Sequence, residues 1–423
     1  MSPLGHPPAG PAWVDHCLWW QVYPLGFSGA GARLADGPGA GRGLAGLIDW
    51  LDYAVQMGAS GLALGPIFTA STHGYDTLDH LAIDPRLGER ADFEALAEAC
   101  HRRGLRLMLD GVFNHVGADH PWLAQALAEG PAGPRASWFK IDWSDPNQPH
   151  PWLFEGHPEL VELNHAEPAV AAEVQRVMTT WLDRGADAWR LDAAYRVPPA
   201  FWSQVLPPVR RRHPAAWFVG EVIHGDYALY VAQSGLDAVT QYELWKSIWS
   251  ALASANFFEL DWTLGRHNAF LDHFKPLTFI GNHDVTRLAT MVGSDKIVLA
   301  LAVLLTTGGV PSIYYGDEQG FTGCKYDRPG GDDEIRPAFP ARPEQLSELG
   351  RWVFRAHQDL IGLRRRHPWL VGARTRTLEL ASARCRYLSQ AGDDRIEVEL
   401  ALDPAPRVEI RSAAGARLYA WPD

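Results

Sequence analysis

Short apolar runs, many of them β-branched, alternate along the chain with longer stretches in which apolar residues recur every three or four positions. The short runs fall at 18–23, 61–67, 105–113, 186–192, 217–222, 238–244, 277–281 and 312–315. Each has the length and composition of a buried strand. Between them lie amphipathic helical patterns. In one, Val170, Val174, Val177, Met178, Trp181 and Leu182 share a face, and Gly185 follows where a helix end adopts left-handed backbone. Strand and helix alternating in this way predict parallel pairing, because a crossover helix returns the chain to the same end of the sheet. Eight such units close into a (β/α)8 TIM barrel; a doubly wound open sheet is the alternative α/β architecture.

Two stretches break the rhythm. Residues 116–164, after the third strand, are long and rich in Pro, His and Trp, and a structureless loop of that length is disfavoured. They read as an inserted subdomain. From about His367 the period changes to two: Ile396, Val398, Leu400 and Leu402 alternate with Glu397, Glu399 and Ala401, with turn signals at 391–394 and 403–406. The predicted division is thus barrel at 1–115, subdomain at 116–164, barrel again at 165–366, and a small C-terminal antiparallel β domain at 367–423. A Gly/Ala-rich loop covers 29–46.

Composition narrows the function classes. The 423 residues are 47% hydrophobic and 21% charged, as in folded globular proteins. The 38 basic and 50 acidic residues give 38 − 50 = −12, with no basic run, which excludes a partner held by phosphate neutralisation such as nucleic acid. Cys17, Cys100, Cys324 and Cys385 show no CxxC spacing, against a zinc knuckle or a disulfide scaffold. The N-terminus lacks a cationic and apolar leader pattern, and no stretch is apolar enough for a membrane span. A cytoplasmic protein with no membrane partner is expected, and a homo-oligomer is compatible with all of this. Eighteen tryptophans divide between core packing and flat surfaces suited to sugar rings.

The C-terminal ends of barrel strands converge on one mouth, and there the ionisable residues gather. Strand three ends in Asp110, Asn114 and His115, strand four in Arg190 and Asp192, strand five in Glu221, strand seven in His283 and Asp284, and strand eight in Asp317 and Glu318. Asp192 and Glu221 end neighbouring strands about 4.8 Å apart. That spacing suits the carboxyl separation of about 5–5.5 Å used in retaining glycoside hydrolysis, nucleophile facing acid/base. Arg190, two residues before Asp192, points the same way and is expected to lower the Asp192 pKa and keep it ionised. Glu221 follows apolar strand residues, where desolvation is expected to raise its pKa toward that of a general acid. Asp284 offers a third carboxylate for sugar hydroxyls.

These residues lie in segments that resemble the α-amylase family, family 13 of the glycoside hydrolases: DGVFNH at 110–115, GADAWRLDAA at 185–194, GEVIH at 220–224, FIGNHD at 279–284 and GGVPSIYYGDE at 308–318, in family order. The resemblance implies Asp192 as nucleophile, Glu221 as acid/base and Asp284 as transition-state stabiliser. It implies Tyr75, His115, Arg190 and His283 as contacts of the −1 sugar, and Asp332 with Arg336 as a pair lining the donor side. Within the family the chain is similar to the neopullulanase, cyclomaltodextrinase and maltogenic amylase group, through NHVG, PAFW at 199–202 and LNHAEPAV at 163–170. It departs in beginning almost directly at strand one, without that group's N-terminal β domain, and in reading Leu-Val-Glu-Leu before Asn164. Asn114 matches a calcium ligand of many amylases, but the subdomain is short and the strand-four segment lacks their Lys-His pair, so no metal or other cofactor is expected.

The implied activity is cleavage of α-glucosidic bonds in malto-oligosaccharides or cyclic α-glucans, a small neutral substrate. Transfer to a sugar hydroxyl would use the same covalent intermediate. A non-catalytic glucan-binding protein and a metal-dependent barrel hydrolase using His115, His283 and Asp284 are the readings from other classes. Plainer roles fall to the remaining salient residues. Trp19, Trp20, Trp181 and Trp202 are expected in the core, and His165, His213 and His267 on loops or the surface. Trp138, Trp143 and Trp152 are candidates for walls of the sugar site, and Arg364, Arg365 and Arg366 for cations at a helix C-terminus.

Overall fold

The computed structural model describes residues 10–36, 42–145, 147–328 and 330–422. The N-terminal stretch read for a leader pattern falls partly, and residues 37–41 of the glycine-rich loop fall wholly, outside the described residues. The eight strands are Trp19–Val22, Gly61–Leu64, Arg106–Gly111, Ala188–Leu191, Trp217–Gly220, Ala238–Val239, Leu277–Phe279 and Val310–Tyr314. They pair in parallel in the order six, five, four, three, two, one, eight, seven. Past strand six, Thr240 bridges to Leu277 of strand seven, and the Gln241 N–H donates to the Leu277 carbonyl at 2.9 Å. This contact closes the barrel and covers the two edges that an open sheet would leave unpaired.

Strand six is shorter than the 238–244 expected, because a helix, Tyr242–Ser254, begins within it. Gln241 is the reason: its side chain accepts from the Leu244 N–H at 3.2 Å, a local cap that takes over from the strand ladder. This places Tyr242 on the first helical turn, over the barrel mouth.

Seven of the eighteen tryptophans are core. Trp19, Trp20, Trp50, Trp181, Trp189, Trp202 and Trp217 are fully buried, and Trp19 stacks on Trp217 at 6.0 Å between centroids. Large flat side chains fill the wedge between strands and outer helices, where each removes 150–250 Å2 from water by the usual measure. In the stretch 116–164, antiparallel strands His115–Gly117 and Leu160–Glu162 form a base, with helix Pro121–Glu129 and the short pair Ile141–Asp142 and His150–Pro151 above it. The tail is a five-stranded antiparallel meander from Arg374 to Trp421. Its alternating Ile396, Val398 and Leu400 are buried, and Tyr387 shares a hydrogen bond of 2.8 Å with Thr306 of the barrel.

Several polar residues prove to be structural. His165 and His267 are buried, not superficial: their Nε2 atoms meet the carbonyls of Phe113 at 2.9 Å and Gly308 at 3.0 Å. His213 is half-buried at a helix end, 3.0 Å from Asp183. Arg364 is buried rather than a solvated end cation. It donates to the carbonyls of Leu305, Thr307 and Gly309 at 3.0, 2.8 and 2.6 Å, capping the wholly buried helix Ile297–Thr306.

Asp317 and Glu318 turn away from the mouth. Asp317 binds the buried Arg287 at 2.9 Å, and Glu318 accepts from the Tyr53 hydroxyl at 2.9 Å and from the Gly316 N–H at 2.9 Å. Burial pushes the Glu318 carboxyl up to about 7, the Asp317 charge adding to it against these hydrogen bonds.

Two stability effects follow from these buried groups. Arg364→Met leaves three carbonyls without their donor, and urea denaturation is expected to show a loss of roughly 2–4 kcal/mol; an unchanged midpoint contradicts the capping role. Because the folded pKa of Glu318 lies above its ordinary value of 4.5, its stabilising contribution is complete below that value and is lost as pH rises toward about 7. Lowering the pH from 8 to 5 should therefore stabilise the wild type relative to Glu318→Gln by roughly 3 kcal/mol, read from paired denaturation curves.

Candidate active site

The barrel strands deliver their C-terminal residues to a cluster organised around one guanidinium. Arg190, on strand four, is buried with its side chain up the barrel axis. Its Nη1 donates to both Asp110 oxygens at 2.7 and 2.6 Å and lies 3.3 Å from Asp192 Oδ1, while Nη2 lies 2.7 Å from Glu221 Oε1. Register explains the convergence: Arg190 pairs with Asp110 on strand three, and Leu191 and Gly220, the residues just before Asp192 and Glu221, pair across strands four and five. Asp192 and Glu221 are therefore neighbours.

A ring of hydrogen bonds connects these residues to the loop after strand seven. The Tyr75 hydroxyl donates to Asp110 Oδ2 at 3.2 Å and makes a short contact with His283 Nε2. His283 Nε2 lies 3.0 Å from Asp284 Oδ2, and its Nδ1 lies 3.2 Å from the Gln21 amide of strand one. On the other side, the Tyr242 hydroxyl donates to Glu221 Oε1 at 3.0 Å and accepts from Asn282 Nδ2 at 3.0 Å, while Asn282 Oδ1 accepts from the Asp284 N–H at 2.9 Å. All three expected carboxylates thus belong to one connected network. Gly281 is required beside it, since a Cβ there would stand 2.2 Å from Asp317 Oδ2.

Asp284 is the most open of the three, with 31% of its side chain exposed. Burial pushes its carboxyl up, but the charge and hydrogen bond of His283, then Arg336, outweigh this and hold it far below the usual carboxylate range. Arg336 reaches it at 3.1 Å, binds Asp332 at 2.8 Å, and lies over the Tyr23 ring at 4.6 Å. Asp332 and Arg336 thus form an ion pair with each other, and Arg336 braces Asp284. His115 stacks on Phe154 at 4.5 Å; burial, then neighbouring histidines, push it down to about 3, and its Nε2 is buried without a hydrogen-bond partner.

Electrostatics differ from expectation at Asp192. Burial, then the Glu221 charge, push Asp192 well up, against the pull of Arg190. The reason is division of labour: Arg190 spends its shortest contacts on Asp110 and Glu221 and only the longest on Asp192. Glu221, expected among apolar neighbours, is instead gripped by Arg190, Tyr242 and, at 2.9 Å, the Ala193 N–H. Ala193 reaches it by adopting left-handed backbone, φ 45°, immediately after Asp192.

The rim comes from 116–164 and from turns that pattern reading passed over. Glu155, also left-handed at φ 52°, accepts from the Tyr195 hydroxyl at 2.8 Å, and Glu162 lies 3.5 Å from Arg196. Tyr195 N–H in turn donates to the Glu221 carbonyl at 3.2 Å. Trp152 is 58% exposed with Lys140 over its ring, whereas Trp138 packs against Trp122 and Arg135, and Trp143 is half-buried. The Asn114 amide donates to His115 Nδ1 at 3.1 Å. Among the described residues no group of three or more His, Cys, Asp and Glu side chains is arranged to hold a metal ion. No described helix is long and apolar enough to cross a membrane.

Pattern reading missed Tyr242, Asn282, Gln21, Glu155 and Tyr195 as members of this site. Asn282 alone carried a signal, as the residue before His283 and Asp284 at a strand end. The others reach the site from a helix start, a strand interior and loops.

Residues 21–339 match the family described as alpha amylase, catalytic domain. A cyclomaltodextrinase of Geobacillus thermopakistaniensis is 33% identical, over 84% of this chain and 63% of its own length. The chain thus spans less than two thirds of that relative. Among solved structures, the cyclic alpha-maltosyl-(1→6)-maltose hydrolase of Arthrobacter globiformis superposes with a TM-score of 0.82 at 25% identity, covering 97% of this chain and 99% of that one. The Nostoc punctiforme debranching enzyme gives 0.78 at 27% identity, covering 96% and 93%. By the extent of the family match and the order of these strand-end residues, the chain belongs to the alpha-amylase family.

Proposed function

We propose that the protein is a retaining glycosidase that cleaves α-glucosidic bonds of short or cyclic α-glucans. The observation that carries this reading is the placement of Asp192 and Glu221 on one guanidinium, with Asp284 joined to both through the hydrogen-bonded ring. Asp192 attacks the anomeric carbon while Glu221 protonates the departing oxygen, and water activated by Glu221 then releases the sugar. Asp284, held ionised by His283 and Arg336, grips ring hydroxyls and strengthens that grip as the sugar flattens toward an oxocarbenium-like state. Tyr75 and His115 complete the wall of the −1 sugar.

The protonation states reinforce one another. The negative charge of Glu221 is the second influence pushing Asp192 up. When Glu221 carries the proton that an acid needs, that push is absent, and Arg190 is left to favour ionised Asp192 against burial.

Substrate size is supported by coverage. The chain matches almost the whole of a hydrolase of cyclic alpha-maltosyl-(1→6)-maltose, and Trp152 of the inserted stretch is exposed. Two Bacillus subtilis relatives are intracellular maltogenic amylases, which supports a cytoplasmic place for this chain. Transfer to a sugar acceptor uses the same intermediate and competes with water.

Three measurements test this. Incubation with maltotriose, cyclodextrins, cyclic maltosyl-maltose, panose and isomaltose should give products from at least one, and proton NMR in the first minutes should show the α-anomer; a β-anomer appearing first overturns the retaining assignment. Asp192→Asn should abolish turnover, and Glu221→Gln should reduce it roughly 10²–10⁴-fold on unactivated sugars. Turnover unchanged in either variant sinks the assignment. Activity should persist in EDTA, whereas its loss with recovery on calcium would show a metal requirement.

A further inference from the structure

Glu221 accepts from three donors, and they are not equivalent. The Arg190 guanidinium at 2.7 Å and the Ala193 N–H at 2.9 Å can only donate. A carboxyl that delivers a proton must first hold one, and a surround of obligate donors opposes that. The third partner, the Tyr242 hydroxyl at 3.0 Å, both donates and accepts.

The direction of its hydrogen is set from behind. Asn282 Nδ2 donates to the same phenol oxygen at 3.0 Å, and the orientation of the Asn282 amide is fixed because its Oδ1 accepts from the Asp284 N–H, a backbone donor that cannot be exchanged for an acceptor. With that lone pair occupied, the phenol O–H turns toward Glu221. The ring itself is held by Phe279, edge to face at 4.9 Å, and by Trp245 at 5.8 Å. Tyr242 is buried, as is Asn282.

We propose that Tyr242, oriented by Asn282, is a positioning residue that sets the pH at which Glu221 holds its proton and, through the Asn282–Asp284 bond, ties the acid/base to the loop carrying the third carboxylate. This rests on Glu221 being the acid/base. The charged and titratable groups around Glu221 are Arg190 and Asp192 from strand four, Asp110 from strand three, Asp284 with His283 from the loop after strand seven, Tyr195 from the turn after Asp192, and His224 from its own loop. Removing the Tyr242 hydroxyl leaves all of them in place and deletes one donor to the ionised carboxylate.

The sign follows. A hydrogen bond donated to the carboxylate favours its charged form, so its loss makes Glu221 keep its proton to higher pH. In Tyr242→Phe the basic limb of the kcat/KM profile on maltotriose should move up by about one pH unit, while the acid limb stays. Asn282→Ala, which frees the phenol, should move the same limb the same way by less. A weaker acid also penalises poor leaving groups: kcat on maltotriose should fall about tenfold, with aryl α-glucosides of acidic phenols nearly unaffected. A merely structural role would lower both substrates together and leave the limb in place. The limb position does not depend on how much protein folds, so it remains readable in a destabilised variant. An unmoved basic limb in Tyr242→Phe overturns the proposal. Glu221→Gln separates the two levels: if it retains the basic limb and full turnover, the acid/base reading fails; if it loses them while Tyr242→Phe leaves the limb unmoved, only this inference fails.

Discussion

One buried guanidinium governs the site. Arg190 is the positive charge that Asp110, Asp192 and Glu221 share, and without it three carboxylates would be desolvated together at the barrel mouth. Burying such charges is tolerated only when they are paired and their remaining lone pairs are satisfied. The hydrogen-bonded ring through Tyr75, His283, Asp284, Asn282 and Tyr242 meets that second condition. Pairing is nevertheless uneven: Asp192 receives the longest of the three contacts.

The scaffold supports this cluster by exactness of register rather than by local rigidity of any one loop. Parallel pairing of strands three, four and five sets Asp110, Arg190, Asp192 and Glu221 at one height. Closure through Thr240 and Leu277 then brings the start of the next helix, with Tyr242, against Glu221. Other buried cations have a different task. Arg287 and Arg364 take backbone carbonyls, and in Arg287 also Asp317, so they fix loops and helix ends away from the chemistry. Backbone strain is concentrated where it serves the site. Two of the three non-glycine residues with positive φ among those described, Ala193 and Glu155, lie beside Asp192 and on the rim over Tyr195.

Much of this was legible in the sequence, for identifiable reasons. Period-two and period-3.6 patterns mark strands and helices because burial on one face is a local requirement. The change at His367 marks the C-terminal meander for the same reason, and Trp19, Trp20, Trp181 and Trp202 sit in the core as their apolar surroundings imply. Strand-end residues were readable because a parallel barrel brings all such ends to one rim. The over-long sixth strand, the helical place of His267, and the burial of His165 and Arg364 share another cause. Each depends on a partner far along the chain or on a side-chain cap, which periodicity does not encode.

The division is therefore one of range. Alone, the sequence determined the barrel and its order of elements and marked Asp192, Glu221 and Asp284 as carboxylates at the strand ends. Only the tertiary structure decided how charge is apportioned among them. The electrostatic state of Asp192 depends on Arg190 being shared with Asp110 and Glu221, and that of Glu221's surroundings on Tyr242, 21 residues away. Such balances arise from distances of a few ångströms between segments remote in sequence, where Coulomb energies and desolvation nearly cancel and the sign is set by geometry.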